Sequence, residues 1–342
     1  MTSTTTTNTA AWLLTPTAYP FTIDTAPLWT PSANEILLHN RALAINPVDP
    51  SLQQRPWWPL KYPTMLGQDI AGSVAAVGPG VTRFKVGDRV VGHAVGMTSG
   101  RQEENGFQKY SILSTNMASH IPEGLSFEKA VVLPLGLSTA ACGLFQKDDL
   151  NLRFPTEPRT QPTGEALLVW GGASSVGSNA IQLAVAAGYE VYTTASAKNF
   201  EYVKKLGATA VFDYASATVV DDIVAALAGK TIVGAFDAIG PPATTQIVDI
   251  VLRTEGVKFV STVKPRYIAP EGVTVKSILG TTLRDNEVGK AIYEDFLPGA
   301  LETGSFVPAP EPLVAGEGLE SVQGAVDLMR KGVSARKIVV LL

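Results

Sequence analysis

The residues best suited to chemistry in this 342-residue chain form a run of small side chains, Gly171-Gly172-Ala173-Ser174-Ser175-Val176-Gly177. An apolar segment, Leu167-Leu168-Val169-Trp170, precedes it, and Ser178-Asn179-Ala180-Ile181-Gln182-Leu183-Ala184 follows with helical spacing. Strand, tight turn and helix start, in that order, bring backbone N–H groups close to a phosphate, and the helix dipole favours its charge. Aligned to G-x-G-x-x-G, Gly172 and Gly177 take the outer positions and Ser174 replaces the middle glycine. A merely tight strand-to-helix turn is the competing reading. The flanking strand, helix and next strand favour a pyrophosphate site.

A site for NAD usually carries an Asp or Glu about 20 residues further on, to hold the ribose hydroxyls. That place reads Thr193-Thr194-Ala195-Ser196-Ala197-Lys198-Asn199, with no acid. Ser196 can donate a hydrogen bond and Lys198 brings the positive charge that a 2′-phosphate needs. NADPH is therefore expected over NADH, against the reading of Lys198 as a solvated charge near a helix start.

Metal ligands are scarce. Cys142 is the single cysteine, so neither a Cys₄ zinc site nor an intrachain disulfide can form, and it reads as a small hydrophobe on an apolar helix. His39, His93 and His120 lack ligand spacing and read as surface or turn residues. No metal is expected.

The elements around these residues follow two grammars. Up to about residue 128 the chain is rich in turns, with short strand segments at 35–39, 41–45, 70–77 and 88–91, as in a compact β-barrel-like unit. From about 165 strands and helices alternate: strands near 166–170, 190–194, 211–213, 233–237, 257–261 and 273–278, and helices near 175–187, 199–206, 219–227 and 244–252. That alternation predicts a parallel, doubly wound sheet. The proline-bearing segment 150–163 reads as a surface loop leading into it.

Composition sets bounds. A net charge of −4 without basic clusters argues against nucleic-acid or anionic-membrane partners, and 17% charged residues suit extensive burial. Residues 1–10, mostly threonine, read as a disordered lead-in and not a signal peptide. No run long enough to span a bilayer is expected, and a cytoplasmic location is the default.

Further motifs run through nearly the whole chain: Asn46-Pro47-Val48-Asp49, Tyr62-Pro63-Thr64-Met65-Leu66-Gly67-Gln68-Asp69-Ile70-Ala71-Gly72, Phe84-Lys85-Val86-Gly87-Asp88-Arg89-Val90, Gly106-Phe107-Gln108-Lys109-Tyr110, Leu133-Pro134-Leu135-Gly136-Leu137-Ser138-Thr139-Ala140, and Leu206-Gly207-Ala208 with Phe212-Asp213-Tyr214. With these the chain resembles zinc-free medium-chain reductases of the quinone-oxidoreductase type, and most closely the fungal trans-acting enoyl reductases. The resemblance implies an α/β fold in which a GroES-like, barrel-type domain (1–128 and 288–342) is interrupted by a Rossmann domain with a doubly wound parallel sheet (129–287). The stretch ending Arg336-Lys337-Ile338-Val339-Val340 would return to the first domain, and the cofactor would lie between the domains.

By the same resemblance, Asn46, Val48, Asp49 and Ser51 would face the nicotinamide end. Ser174, Ser175, Val176 and Gly177 would hold the pyrophosphate, and Ser196, Lys198, Asn199 and Tyr214 the adenosine phosphate. Thr262 and Val263 would flank the nicotinamide, with Ser334 and Ala335 closing over it. Thr139, at the start of an inter-domain helix, would touch nicotinamide or substrate, and Thr281, Thr282 and Leu283 would line the substrate cleft. Gly67-Gln68-Asp69 stands where zinc enzymes of the class carry Gly-His-Glu. Asp49 has two readings, a proton donor or a carboxylate anchoring its turn, and Trp57-Trp58 is either a substrate-facing wall or a packed loop.

The expected reaction is hydride delivery from NADPH to the β-carbon of an α,β-unsaturated thioester or ketone, with Thr139, Ser51 or water left as candidate proton donors. The substrate would be a small molecule or a carrier-bound acyl chain, the latter implying a polyketide synthase partner and polyketide biosynthesis. A stand-alone quinone or alkenal reductase and a non-catalytic NADPH-binding protein are the alternatives, and the protein would be a monomer or homodimer.

Overall fold

A strand such as Ala166–Trp170, which has no polar residue and is buried throughout, needs cover on both faces of its sheet. The computed structural model, which describes residues 7–342, supplies that cover. Two units form: one runs to Leu135 and resumes over Glu311–Leu342, and the other is Gly136–Pro310.

In the second unit, Ala210–Asp213, Glu190–Ala195, Ala166–Trp170, Thr231–Asp237, Phe259–Thr262 and Thr274–Ser277 lie side by side in that order, all parallel. The chain starts at Ala166–Trp170, builds outward to one side and then crosses to the other. This places a topological switch point at the end of Ala166–Trp170, where such sheets bind ligands. Helices Ser175–Ala186, Phe200–Lys205, Val219–Ala226 and Ala243–Arg253 connect the strands.

The first unit is antiparallel for the most part. Its larger sheet runs Pro312–Glu317, Lys337–Leu341, Glu35–Ala44, Asp69–Val77, Arg89–His93, Ala118–His120, with Tyr110–Ser114 also paired to Glu35–Ala44. A three-stranded sheet of Thr22–Ala26, Asn8–Leu13 and Thr64–Met65 accompanies it. The last strand pairs with Glu35–Ala44, Val339 opposite Ala44, so the chain's end completes the unit in which the chain begins.

Several expectations need correction. The two expected segments form one strand, Glu35–Ala44; register shifts at 37/38 and 40/42 let it continue. Asn40 sits at the second shift with its amide donating to the Gln108 carbonyl and the Ser111 hydroxyl. Asn8, Thr9 and Ala10 belong to a strand and not to a disordered lead-in; the remainder of that lead-in, 1–6, lies outside the described residues. Residues 288–310, expected in the first domain, fold with the second unit, because Val288, Ile292, Tyr293, Phe296 and Leu297 are all buried and the Tyr293 hydroxyl meets Ser138 Oγ at 2.7 Å. Thr139 lies inside the helix Pro134–Phe145, not at its start. Phe127–Phe145 passes for a membrane span by length and composition, contrary to expectation, but most of it is buried in the protein.

Candidate cofactor site and active site

The small-residue turn has the geometry that its sequence suggests, with the roles shared differently. Gly171 takes the left-handed conformation (φ 84°). At Gly177 a Cβ would stand 2.2 Å from the Gly171 carbonyl oxygen, so a side chain there must displace backbone. Ser174 stands where a middle glycine is usual, yet its backbone is extended (φ −74°, ψ 162°) and needs no glycine. Its hydroxyl caps the helix instead, accepting the Gly177 N–H at 3.0 Å. In the next residue, Ser175 Oγ is buried without a hydrogen-bond partner. An orphaned hydroxyl at a helix N-terminus beside this turn fits a phosphate-bearing ligand.

The neighbouring strand locks the turn: Thr194 Oγ1 accepts the Gly171 N–H at 3.0 Å and Thr194 O accepts that of Gly172 at 2.9 Å. Beyond that strand, Ser196 is half-buried and accepts from the Asn199 amide at 3.1 Å, while Lys198 and Tyr214 are exposed. A carboxylate that sequence reasoning passed over organises the opposite side of the switch point. Asp237, fully buried, accepts the N–H groups of Ile239 (2.9 Å) and Gly240 (2.8 Å) through one oxygen. Its other oxygen accepts the hydroxyls of Thr244 (2.6 Å) and Thr262 (3.0 Å). The available signal was an Asp closing an apolar strand just before Gly240. Thr262 therefore spends its hydroxyl on Asp237, and Val263 is held by a backbone bond to Asp237 O at 3.0 Å.

In the first unit, Asn46 to Asp49 form a turn into the helix Val48–Gln54. The Asp49 carboxylate, 1% exposed, accepts the Asn46 N–H at 2.7 Å and the Gly67 N–H at 3.3 Å, so it anchors the turn. Burial pushes its pKa up to about 7; the nearby Asp69 carboxylate adds to the rise, against the lowering by those N–H groups and by Lys337. Lys337 Nζ lies 2.7 Å from Asp69 Oδ2, both side chains almost wholly enclosed, and also donates to Asn46 Oδ1. Asn46 Nδ2 reaches Asp69 Oδ2 at 2.9 Å and the Leu135 N–H reaches Asp69 Oδ1 at 2.6 Å. His93, expected as a surface or turn residue, is buried at the end of a strand, with Nε2 3.0 Å from Gln68 Oε1, and burial brings its pKa down to about 4. His39 stacks on Tyr110 and His120 packs tilted against Phe84, each of them half-buried.

The remaining candidates divide. Val48 is half-buried beside the turn, and Ser51, also half-buried, lines a cavity of about 520 Å³ and accepts from Trp57 Nε1 at 2.9 Å. Trp58 points elsewhere, bonding Met97 O at 2.7 Å. Ser334 is exposed and Ala335 adopts a left-handed φ of 48°, two residues before Lys337. In the second unit Thr139 is nearly buried and packs on Gly280, where a Cβ would meet its N at 2.7 Å. Thr281 is buried and Thr282 exposed, its Oγ1 accepting from the Gln146 amide and lying 3.7 Å from Cys142 Sγ. Leu283 is fully buried and so is core, not the wall of an open cleft.

Residues 32–136 match the family described as alcohol dehydrogenase GroES-like domain, and 175–290 that described as zinc-binding dehydrogenase. The chain is 61% identical, over 98% of each chain, to the zinc-binding alcohol dehydrogenase domain-containing protein cipB of Emericella nidulans. It belongs to the medium-chain dehydrogenase/reductase family. Another member, the trans-enoyl reductase himH of Aspergillus japonicus, is 39% identical over 90% of this chain and 89% of its own. The fold of this medium-chain oxidoreductase also matches an alcohol dehydrogenase superfamily protein from Novosphingobium aromaticivorans (TM-score 0.79, 27% identity, covering 98% and 100%). The family works with a nicotinamide dinucleotide, and the turn at 171–177 with its orphaned Ser175 hydroxyl suits one. Zinc, present in two of those descriptions, does not fit these residues. Among the described residues no three His, Cys, Asp or Glu side chains gather into a ligand set. Asp69 is already neutralised by an ammonium, and Gln68 is engaged by His93.

Proposed function

We propose that this medium-chain oxidoreductase is an NADPH-dependent, zinc-independent reductase of activated carbon–carbon double bonds, acting on an α,β-unsaturated thioester as a trans-acting enoyl reductase. The observation that carries the reading is the Asn46–Asp69–Lys337 cluster: a buried ion pair and engaged amides where an alcohol-oxidising member would need free metal donors. Without a Lewis acid, removal of an alcohol proton has no evident assistance. A conjugated thioester needs none, because its own carbonyl makes the β-carbon electrophilic. The relative named trans-enoyl reductase supports this choice.

NADPH, when bound, supplies the hydride. Ser174, Ser175 and the N–H groups of 174–177 would hold its pyrophosphate, and Ser196 with Lys198 the 2′-phosphate. Asp49 and Lys337 keep the 46–49 turn rigid, and Asp237 does the same for Thr262. The Ser51 hydroxyl, taking a hydrogen bond from Trp57, keeps its own proton free to donate to an enolate oxygen or to the α-carbon. A polyketide synthase delivering the acyl chain on a carrier domain is the partner that this reading implies.

The test is NADPH consumption with a crotonyl thioester, a quinone and a simple alcohol in parallel, tracing deuterium from the 4-position of the cofactor. Deuterium at the β-carbon of the thioester is the expected result. Alcohol oxidation as the sole activity, or one tightly held zinc per chain, would overturn it.

A further inference from the structure

The cavity of the first unit grades from enclosed to open. Pro50 is buried and Ser51 half-buried, while Arg55 and Trp57 are exposed. Ser51 and Arg55 both line the cavity, the Arg55 N–H bonding Ser51 O at 3.0 Å where the chain leaves the helix Val48–Gln54. Trp57, also on the lining, folds back to reach Ser51 Oγ. A second guanidinium at the cavity, Arg330, is committed to Asp327 and to the Gln53 amide. Arg55 has no carboxylate partner among the described residues, in a chain whose net charge is −4. The cavity thus offers an uncharged inner wall, an indole and one uncompensated cation at its open side.

Resting on the enoyl-thioester reading above, we propose that Arg55 and Trp57 form a subsite for the phosphate and adjoining stem of a phosphopantetheine thioester. A guanidinium fork matches phosphate geometry, and an indole beside it offers a flat surface to the uncharged stem. A small enone or quinone carries no anion and gains nothing from Arg55. The same arm occurs on free coenzyme A thioesters and on carrier domains, so either source presents the group that the subsite takes.

Calorimetric titration of the full-length protein with pantetheine 4′-phosphate and with pantetheine tests the subsite without turnover. The phosphorylated compound is expected to bind about tenfold or more tightly, as a charge-assisted contact allows. Arg55→Ala should collapse that preference, and Arg55→Lys should keep part of it. Equal binding of the two compounds by the wild type, or a preference that survives Arg55→Ala at unchanged Tm, overturns the proposal. Phosphate preference through Arg55 in a protein that reduces no enoyl thioester would sink the enoyl reading and leave the subsite standing. Reduction of crotonyl-pantetheine and crotonyl-phosphopantetheine with equal kcat/KM would do the reverse. Comparing crotonyl-coenzyme A with a crotonylated carrier domain then separates the sources: a lower KM for the domain assigns the subsite to a protein-borne arm, and parity to the free thioester.

Discussion

The turn at 171–177, proposed above to take a pyrophosphate, and the cluster around Asp69, which holds an ion pair, use different atoms and different spans of chain. The turn uses backbone N–H groups, a capping serine and a left-handed glycine, all within seven consecutive residues. The cluster uses an ammonium, two carboxylates and two amides drawn from residues 46, 49, 68, 69 and 337. The turn leaves one polar group without a partner, the buried Ser175 hydroxyl. The cluster pairs its buried charges, Asp69 with Lys337 and Asp49 with two N–H groups, and leaves unpartnered only the Nδ1 of the neutral His93 beside it. The turn is thus built from local residues around an unpartnered hydroxyl, and the cluster from residues distant in sequence whose charges are already paired.

Breaking the turn should have the largest effect. Gly177→Val drives a Cβ into the Gly171 carbonyl, which is backbone and cannot swing aside. Loss of dinucleotide binding is expected, measured by tryptophan-to-nicotinamide energy transfer, and some loss of soluble protein with it. Wild-type cofactor affinity in this variant would mean that the turn does not receive phosphate.

Breaking the cluster should come next and should strike stability first. Lys337→Met leaves the Asp69 carboxylate enclosed without its cation, a change that typically costs about 3–5 kcal/mol. Urea unfolding measures it. Lys337→Met combined with Asp69→Asn should recover much of the loss, because the stranded charge is gone. Additive losses in the double variant would show that the pair does not act as a unit.

The contrast accounts for what could be read from sequence. The Rossmann strands, the parallel sheet and the tight small-residue turn before its helix were legible because apolar runs, helix spacing and small residues are local signals. Ser174 was read as a substitute glycine, since nothing local announces that its backbone is extended and its hydroxyl a cap. His93 was read as a surface or turn residue because only its partner Gln68, just before the adjacent strand Asp69–Val77, reveals that it is buried. Asp237 went unnoticed because its four donors lie on two later segments, 239–244 and residue 262. The second-unit placement of 288–310 depends on burial of side chains such as Tyr293 and Phe296, which spacing alone could not assign to one sheet or the other.

Titration sharpens the difference more gently. Asp49, raised from 3.8 to about 7, adds stability that is fully present below its ordinary pKa and is lost as pH rises through 7. His93, lowered from 6.5 to about 4, adds stability present above 6.5 and lost as pH falls through 4. Between pH 4 and 6.5 the two slopes oppose each other. Relative to the wild type, His93→Gln should therefore make stability fall more steeply with rising pH in that window. Asp49→Asn should make it rise. Denaturant midpoints across the window measure both, and parallel profiles for all three proteins would show that neither group is titrated by folding.

The smallest effect is expected at the exposed Lys198, proposed above to meet the 2′-phosphate. Lys198 follows a strand end that carries no acid, and the structure leaves it in solvent beside Ser196 and Asn199. An ammonium within reach of a 2′-phosphate adds a charge-assisted contact, although the neighbouring strand brings Asp213 opposite Ala195. Solvent screens such a contact, so Lys198→Ala should weaken NADPH by about 1–2 kcal/mol, below the upper range for buried charged hydrogen bonds. NADH lacks the phosphate and should lose almost nothing. The ratio of the two dissociation constants, measured by calorimetry in the wild type and the variant, isolates the term from any general loosening of the turn. Raising the salt concentration should shrink the same ratio in the wild type, because the contact is open to counterions. A wild type that binds NADPH and NADH equally, with a ratio unmoved by salt, would show that this edge of the site receives the dinucleotide without reading its 2′-phosphate.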